Sequence, residues 1–595
     1  MLQRVPDSDV ATDIWSLKYR QAGETSIRDS FARVAKAVAA AEAGPLQALW
    51  EKRFLDLMAD FSFLPAGRIL AGAGSKRDVT LFNCFVMGTI SDSIPGIFDG
   101  LKQAAQTLQQ GGGIGHDFST LRPKGALVHG VGADASGPLS FMDVWDAMCR
   151  TIMSAGARRG AMMGTLRCDH PDIEDFIEAK RDPRRLRNFN LSVLVTDGFM
   201  AAVEEDADWP LLFAGEVYRT VRARGLWDRI MRATYEVAEP GVIFIDRINR
   251  LNPLSYCETI TCTNPCGEQP LPPYGACLLG SLNLTRFVED AFTPEARFDV
   301  ERLRAAAQTA IRFLDNVVDV SNYPLPQQRA EAFNKRRLGL GVTGLADALF
   351  MCGLRYGAPA AVAATGAWMG AIQEAALDAS CDLAAEKGAF PLFDCDAYLA
   401  TAYGMSLSAR QRKRVAATGL RNGLLTSVAP TGTISLVAGN VSSGIEPIFA
   451  LSYDRRILEA DGSHRSVAME DHAYRLWREA SGGGARPVAL VTAADLLPEE
   501  HLAMQAAAQA HVDSSISKTI NVPEDLPFAA FRSVYEEAYR LGLKGCTTFR
   551  PNAVTGSILS STQAEDKSCP SCGGFDLVAR EGCTTCLTCG FALCG

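Results

Sequence analysis

Several things the sequence lacks narrow its range first. No uninterrupted apolar run reaches the ~18 residues that a membrane-spanning helix needs, although 47% of the chain is hydrophobic. The opening stretch MLQRVPDSDVATDIW has no apolar core of the secretory kind. A cytoplasmic location with no membrane partner is therefore expected. Positive charge is in deficit: the net charge of -9 argues against wholesale binding to nucleic acid or anionic membranes. It leaves room for a local basic pocket around a small phosphorylated ligand. No short-period repeat is present. The run GGGIG (residues 111–115) lacks the third glycine of a dinucleotide fingerprint, since that position is His116. It reads instead as a tight turn.

What is present is a long chain with a patterned interior. Single cores stop growing at about 250–300 residues, so 595 residues imply a multi-part or elaborated architecture. Residues 26–60 read as two amphipathic helices broken at Gly44-Pro45. The apolar run around Cys84, VTLFNCFVMG, reads as a buried strand. From there to about residue 550 short apolar runs alternate with helical ones. NLSVLVT and GVIFID are strand-like, whereas residues 217–238 and 360–388 read as helices. Such alternation predicts an α/β fold with parallel strands joined by helical crossovers. The chain divides into a helical region (1–82), an α/β body (83–555), a small polar linker (556–568) and a cysteine-rich tail (569–595).

Seventeen cysteines is an odd and high number, and six fall in the last 27 residues. In a chain without a secretory signal, clustered cysteines point to metal binding or redox chemistry. The spacings Cys569-x2-Cys572 and Cys583-x2-Cys586 suit a tetrahedral zinc ribbon. Cys589 and Cys594 then remain as a dithiol able to exchange with a disulfide. A rival partition gives zinc Cys569, Cys572, Cys586 and Cys589, and a third has zinc alone with no thiol exchange.

In the body, Cys149, Cys168, Cys352, Cys381 and Cys395 read as small apolar fillers. Cys266 does not. In TNPCGEQPL it is flanked by Pro265 and Gly267, which make a rigid tight loop. Asn264 and Glu268 stand two residues to either side, where an extended backbone would put all three side chains on one face. Cys277 opens the apolar strand of GACLLGSLNL, and Cys84 sits in the similar setting LFNCFV.

TNPCGEQPL…GACLLGSLNL resembles the finger-loop segment of ribonucleotide reductase catalytic subunits, followed by a strand with a redox cysteine. FLPAGRILAGAG…LFNCFV, GGGIGHDFSTLRPKGA, RRGAMMGTLRCDHPDIEDFI, APTGTISLVAG…SSGIEP, DSSISKTINVP and LKGCTTFRPN are similar to the same family, in family order over residues 60–555. The resemblance implies a ten-stranded α/β barrel of two antiparallel five-stranded halves with a central finger loop, a helical N-terminal region and a zinc-ribbon-like tail. It implies that Cys266 carries a thiyl radical, that Glu268 takes the 3′-hydroxyl proton and that Asn264 orients the ribose. Cys84 and Cys277 become the pair that reduces the 2′-position and ends as a disulfide, with Cα atoms about 4.4–6.8 Å apart. Asn83, Gly113 and the turn Thr431, Gly432, Thr433, Ile434, Ser435 become substrate contacts, the turn holding a diphosphate. Asp92 and Arg158 fall where the family binds a dNTP or ATP effector.

The resemblance also bears on the radical source. Where one form of the family relays a radical through two adjacent tyrosines, this chain has Thr547 and Thr548, followed by Phe549. The glycyl-radical motif of the anaerobic form is absent, and both redox cysteines are kept. The expectation is the adenosylcobalamin-dependent form, reducing ribonucleoside diphosphates, less readily triphosphates, to 2′-deoxyribonucleotides for DNA synthesis. A thioredoxin- or glutaredoxin-like reductant and a homodimer are expected with it. No extension of ATP-cone length precedes the helices, so no on/off activity site is expected. The alternatives are the catalytic subunit of a two-subunit, metal-radical enzyme and a non-catalytic zinc-ribbon barrel protein.

Overall fold

The computed structural model describes residues 9–128, 132–152, 160–182, 184–458 and 464–551, with the backbone of short strands at 577–580, 583–586 and 592–594. The N-terminal region is helical over Asp9–Lys18, Ile27–Ala39 and Gly44–Ala59. The break falls at Gly44-Pro45 as the sequence predicts, with the proline in the first turn of the new helix. Phe31, Val34 and Val38 of one helix and Phe54 and Met58 of the next are buried in one core. A charged joint fastens this region to the body. The buried Glu42 carboxylate accepts from Arg312 at 2.7 Å, Asn316 at 2.8 Å and Lys387 at 3.1 Å. Those partners sit on or against helices Val300–Val320 and Pro359–Lys387.

The body is mixed α/β. Five strands, β1 (Cys84–Val86), β2 (Gly113–Asp117), β3 (Met162–Arg167), β4 (Phe189–Val195) and β5 (Gly241–Phe244), pair side by side, all parallel. A hairpin of two very short strands, β6 (Cys262–Thr263) and β7 (Pro270–Leu271), follows. Then come β8 (Ala276–Cys277), antiparallel to β1, β9 (Leu279–Asn283) and β10 (Gly339–Thr343), the last two parallel to each other. Single parallel bridges lead on from Leu340 to Thr426 and from Val428 to Ile516. Finally β11 (Thr519–Asn521) pairs parallel with β12 (Gly545–Phe549), which lies antiparallel to β5. The pairing that starts at β1 thus returns to it through β8.

Two local expectations need correction. Residues 217–238 are not one helix: Glu216–Arg222 is a strand, paired with Asp208–Phe213, and the helix is Ala223–Val237. The β-branched Val217, Thr220 and Val221, with a turn at Ala214-Gly215 (both positive φ), favour the hairpin over the helix. The run GGGIG is a turn only at Gly111, where φ is +96°. From Gly113 onward it is β2, and its glycines answer to crowding. A Cβ on Gly115 would lie 2.1 Å from the Thr263 carbonyl oxygen, and one on Gly113 would lie 3.1 Å from Cys84 Sγ.

The β6–β7 hairpin therefore runs against the inner face of β2. Cys262 and Leu271 from it join Val86, Met163, Cys277, Leu279, Ala66 and Ala429 in an apolar cluster separate from the main core. Gly115→Ala should cost about 1–3 kcal/mol of stability, the usual penalty of forced overpacking. Gly198→Ala, in a helix with no atom within 4 Å of the added methyl, should be neutral or stabilising. Denaturant unfolding of both variants checks the contrast.

Candidate active site

The hairpin's tip is a tight turn. The Gly267 N–H donates to the Asn264 carbonyl at 3.0 Å, and the Asn264 N–H donates to the Gln269 carbonyl at 3.1 Å. Proline at the second position and glycine at the fourth are what such a turn favours, so Cys266 is left at the apex, exposed. Asn264 and Glu268 do not share its face: the chain turns instead of extending, and both side chains are buried. The three residues come together through the turn, not through the i, i+2 relation of a strand.

Donors on two sides grip this finger. On one side Asn190 Nδ2, from β4, donates to the Pro265 carbonyl at 2.7 Å. On the other the Glu268 carbonyl accepts from the Ser515 N–H at 3.0 Å, the Ser427 hydroxyl at 2.9 Å and the Ser514 hydroxyl at 3.2 Å. Asn264 Oδ1 accepts from the Gln269 N–H at 3.0 Å, which fixes the amide's orientation. Sequence reasoning did not single out Asn190, Ser427, Ser514 or Ser515. Ser514 and Ser515, in DSSIS, lay inside a family-like segment, whereas Asn190 carried no signal.

Burial pushes the Glu268 carboxyl up to about 7, with the neighbouring Asn264 amide pulling partly the other way. Its Oε2 and the neighbouring Asn264 Nδ2, with Asn83 Oδ1, complete no hydrogen bond of normal geometry among the described residues. Buried polar atoms are normally satisfied, so three unmet ones of both donor and acceptor type suit a polar ligand.

Cys84 and Cys277 face each other in the β1–β8 register. Directly opposed residues of an antiparallel pair have Cα atoms about 4.5–5.5 Å apart, inside the range a disulfide needs. Both are free thiols here; Cys277 is fully buried and Cys84 half-buried. Burial raises the Cys277 thiol well above its ordinary value, and the adjoining Cys84 thiol, Glu268 and Cys266 raise it further. Gly113 lies between the pair and the finger: its missing Cβ would meet Cys84 Sγ at 3.1 Å and Pro265 Cγ at 3.4 Å.

The turn 431–435 is anchored through Thr431, which adopts φ +54°. Its Oγ1 lies 3.0 Å from Thr343 Oγ1 and accepts from the Gly444 N–H at 2.9 Å. The Ser435 N–H donates to the Thr431 carbonyl. Gly432 is exposed, Thr433 half-exposed, and Ile434 and Ser435 are buried. The expected helix after it is a single turn, Ile434–Val437.

The remaining expectations fare unevenly. Asp92 is held by Arg122, Nε to Oδ2 at 2.8 Å, and also accepts the Arg122 N–H at 3.2 Å. Arg158, Cys569, Cys572 and Cys589 lie outside the described residues. Cys583 and Cys594 are opposed in the register of two antiparallel tail strands, and Cys586 ends the first of them. On β12, Thr547 is exposed and Thr548 is buried against the Tyr535 hydroxyl at 3.0 Å.

The asymmetry of the cysteines predicts a labelling order. A small excess of iodoacetamide should modify Cys266 and Cys84 while sparing Cys277, as read by peptide mapping. Equal labelling of Cys84 and Cys277 would contradict the burial described.

With this geometry in place, comparison with known proteins is informative. The family description "Ribonucleotide reductase, barrel domain" matches residues 82–549, and "Ribonucleotide reductase, all-alpha domain" matches residues 9–78. A vitamin B12-dependent ribonucleoside-diphosphate reductase of Mycobacterium tuberculosis is 40% identical over 552 residues, covering 88% of this chain and 76% of the relative. One from Thermoplasma acidophilum is 37% identical over 535 residues, covering 87% and 67%. A ribonucleoside-diphosphate reductase large subunit of Caenorhabditis elegans is 30% identical over 451 residues, covering 68% and 56%.

Proposed function

The chain belongs to the ribonucleotide reductase large-subunit family, and we propose that it is a vitamin B12-dependent ribonucleoside-diphosphate reductase. The observation that carries the reading is the convergence of an exposed thiol, a buried carboxyl and a paired dithiol around one finger tip. We read the closed circuit of pairings as the ten-stranded barrel, with β1–β5 as one half and β12, β11, the 426–428 segment, β10 and β9 as the other. The division at 1–82, 83–555, 556–568 and 569–595 belongs to the same reading.

In the proposed reaction the Cys266 thiyl takes the 3′-hydrogen of the ribose, and Glu268 accepts the 3′-hydroxyl proton. A carboxyl near 7 is well matched to that task at neutral pH. Asn264 and Asn83 orient the sugar through the polar atoms that the protein leaves unmet. The dithiol supplies a proton to the departing 2′-hydroxyl and two electrons. Water leaves, the second hydrogen of the pair goes to C2′ as the Cys84–Cys277 disulfide forms, Glu268 gives its proton back to the 3′-oxygen, and the 3′-hydrogen returns from Cys266. The diphosphate sits on the 431–435 turn, and Gly113 leaves the space between finger and dithiol open.

Adenosylcobalamin, when bound, supplies the radical that oxidises the Cys266 thiol. The inner face beside the finger fits a bulky group. Along from Asn190, Ser192, Gly241 and Thr547 stand side by side on β4, β5 and β12. A Cβ on Gly241 would lie 3.1 Å from Ser192 Oγ and 3.7 Å from Thr547 Oγ1. These small residues would hold the cofactor's approach to the apex open. The threonines at 547 and 548 offer no oxidisable relay, which disfavours a separate radical-generating subunit.

Half-buried Cys84 is the sulfur that the tail dithiol, Cys589 and Cys594, can reach to reduce the disulfide, with a thioredoxin- or glutaredoxin-like protein reducing the tail. Zinc on Cys569, Cys572, Cys583 and Cys586 would shape that tail. A dNTP or ATP effector belongs beside Asp92 and Arg158, at a homodimer interface. In support, Ile94 and Phe98 lie one helical turn apart, 60% and 50% exposed, just after Asp92, and Leu127, 52% exposed, has its carbonyl on the Asp92-bound Arg122. No described helix is long and apolar enough to cross a membrane.

The purified chain alone, given a nucleoside diphosphate, dithiothreitol and adenosylcobalamin, should form deoxynucleotide, and Cys266→Ser should form none. Turnover only on adding a metal-radical subunit would overturn the cofactor assignment. Cys594→Ser should slow turnover driven by thioredoxin but not by dithiothreitol. Full thioredoxin-driven activity in that variant would rule out the tail as shuttle.

A further inference from the structure

Two buried carboxyls lie behind the phosphate turn with no part in the chemistry above. Asp347, in helix Leu345–Met351, is fully buried, and Asp471, which caps helix His472–Ser481, is 4% exposed. Asp347 Oδ2 accepts the Ser442 N–H at 2.6 Å. Its Oδ1 completes no hydrogen bond of normal geometry among the described residues, although the Ala473 N–H lies near both carboxyls. Asp471 Oδ1 accepts the Tyr474 N–H at 3.0 Å as a helix cap. The two side chains are within hydrogen-bonding reach of each other. Two buried carboxylates in contact cannot both stay ionised, and an acceptor without a donor is costly. One proton resolves both problems.

We propose that Asp347 and Asp471 hold a single proton between them and that this acid pair positions the phosphate-binding turn. The inference rests on the reading that residues 431–435 bind the substrate diphosphate. The mechanical path is short. Asp347 fixes Ser442, whose hydroxyl accepts the Ala346 N–H at 3.2 Å and whose carbonyl accepts the Gly344 N–H at 2.7 Å and the Thr343 hydroxyl at 2.9 Å. Thr343 then touches Thr431, and Gly444, two residues beyond Ser442, donates to the same Thr431 oxygen. Residues 440 and 441 also donate to the Ser435 carbonyl. The turn is thus clamped by the loop that Asp347 holds.

The surroundings set the direction of the pH response. Burial raises both carboxyls, Asp347 to about 6 and Asp471 further. His472, beside them, is pushed down to about 4 by burial and stays neutral across the working range. The charged groups on the packed elements are Arg286, near His472, Arg475, and Arg478, which is paired with Glu470. A group raised on folding contributes fully below its ordinary value and loses that contribution as pH rises through the raised one. Alkaline pH therefore removes the shared proton, sets two anions against each other and loosens the clamp.

The test is diphosphate binding and turnover of the full chain from about pH 6 to about pH 9, a range above the ordinary carboxyl value. Wild type should show Kd and KM rising toward alkaline pH, whatever change Glu268 brings to kcat as it ionises near 7. Asp471→Asn, whose amide donates the same hydrogen bond without a titrating proton, should keep tight binding with a flat pH profile. Asp347→Ala should raise Kd about 10-fold at every pH, as expected for losing a charge-assisted hydrogen bond. If that variant fails to fold, the Asp471→Asn profile decides alone. An Asp471→Asn profile identical to wild type, or unchanged binding in a folded Asp347→Ala, overturns the acid pair. Wild type that binds no nucleoside diphosphate overturns the phosphate reading instead.

Discussion

The Glu268 carbonyl oxygen accepts from the Ser515 N–H and from the Ser427 and Ser514 hydroxyls, while Asn190 holds the Pro265 carbonyl from the opposite side. Everything at the site depends on this suspension. A four-residue turn on two two-residue strands has little stability of its own. Fixed by donors from both sides, it becomes a rigid post. The donors are themselves held. Asp513 accepts the Leu425 and Thr426 N–H groups at 2.7 and 2.9 Å, and buried Lys544 donates to the Asp513 and Ser514 carbonyls. The segments carrying the serines are thereby tied to each other before they reach the finger.

That rigidity matters because the site works by contrast between neighbours. Cys266 is exposed, Cys84 half-buried and Cys277 fully buried, within one cluster. In the proposed reaction the thiol that loses a hydrogen atom needs an open approach, whereas the one that holds its proton until the substrate needs it gains from burial. Cys277 is raised by burial, and Glu268 and Cys266 reinforce the effect. A shift of the finger would alter the Glu268 and Cys277 environments together, so the same three acceptor bonds set geometry and proton affinity.

The parts legible in the sequence were those with local causes. Pro265 and Gly267 announce a turn, and the turn is there. The Gly44-Pro45 break and helix 359–387 follow from propensity and period. Cys84 and Cys277 looked like strand residues in similar settings, the family resemblance paired them, and the register puts them opposite each other. What stayed hidden depends on contacts distant in sequence. Gly115 reads as a turn residue until the Thr263 carbonyl is placed against it. The strand at 216–222 was obscured by a following helix with the stronger amphipathic signal. Asn190 looks like any polar residue at a strand start, and its role exists only once Pro265 is brought to it.

The placement of the phosphate turn shows how little of the body is idle support. Thr431 holds φ +54°, unfavourable for a β-branched residue, and such strain persists only where surrounding bonds over-determine it. Those bonds come from Thr343 at the end of β10 and from Gly444. β10 is paired with β9, the continuation of the strand that carries Cys277. The turn and the dithiol are therefore fixed to one piece of sheet, so in the proposed reaction strand pairing would set the distance between diphosphate and sulfurs. The proposed reaction, which presents two adjacent ribose carbons to three cysteines, would gain from that arrangement, because a flexible phosphate anchor would spread the reacting atoms over many geometries.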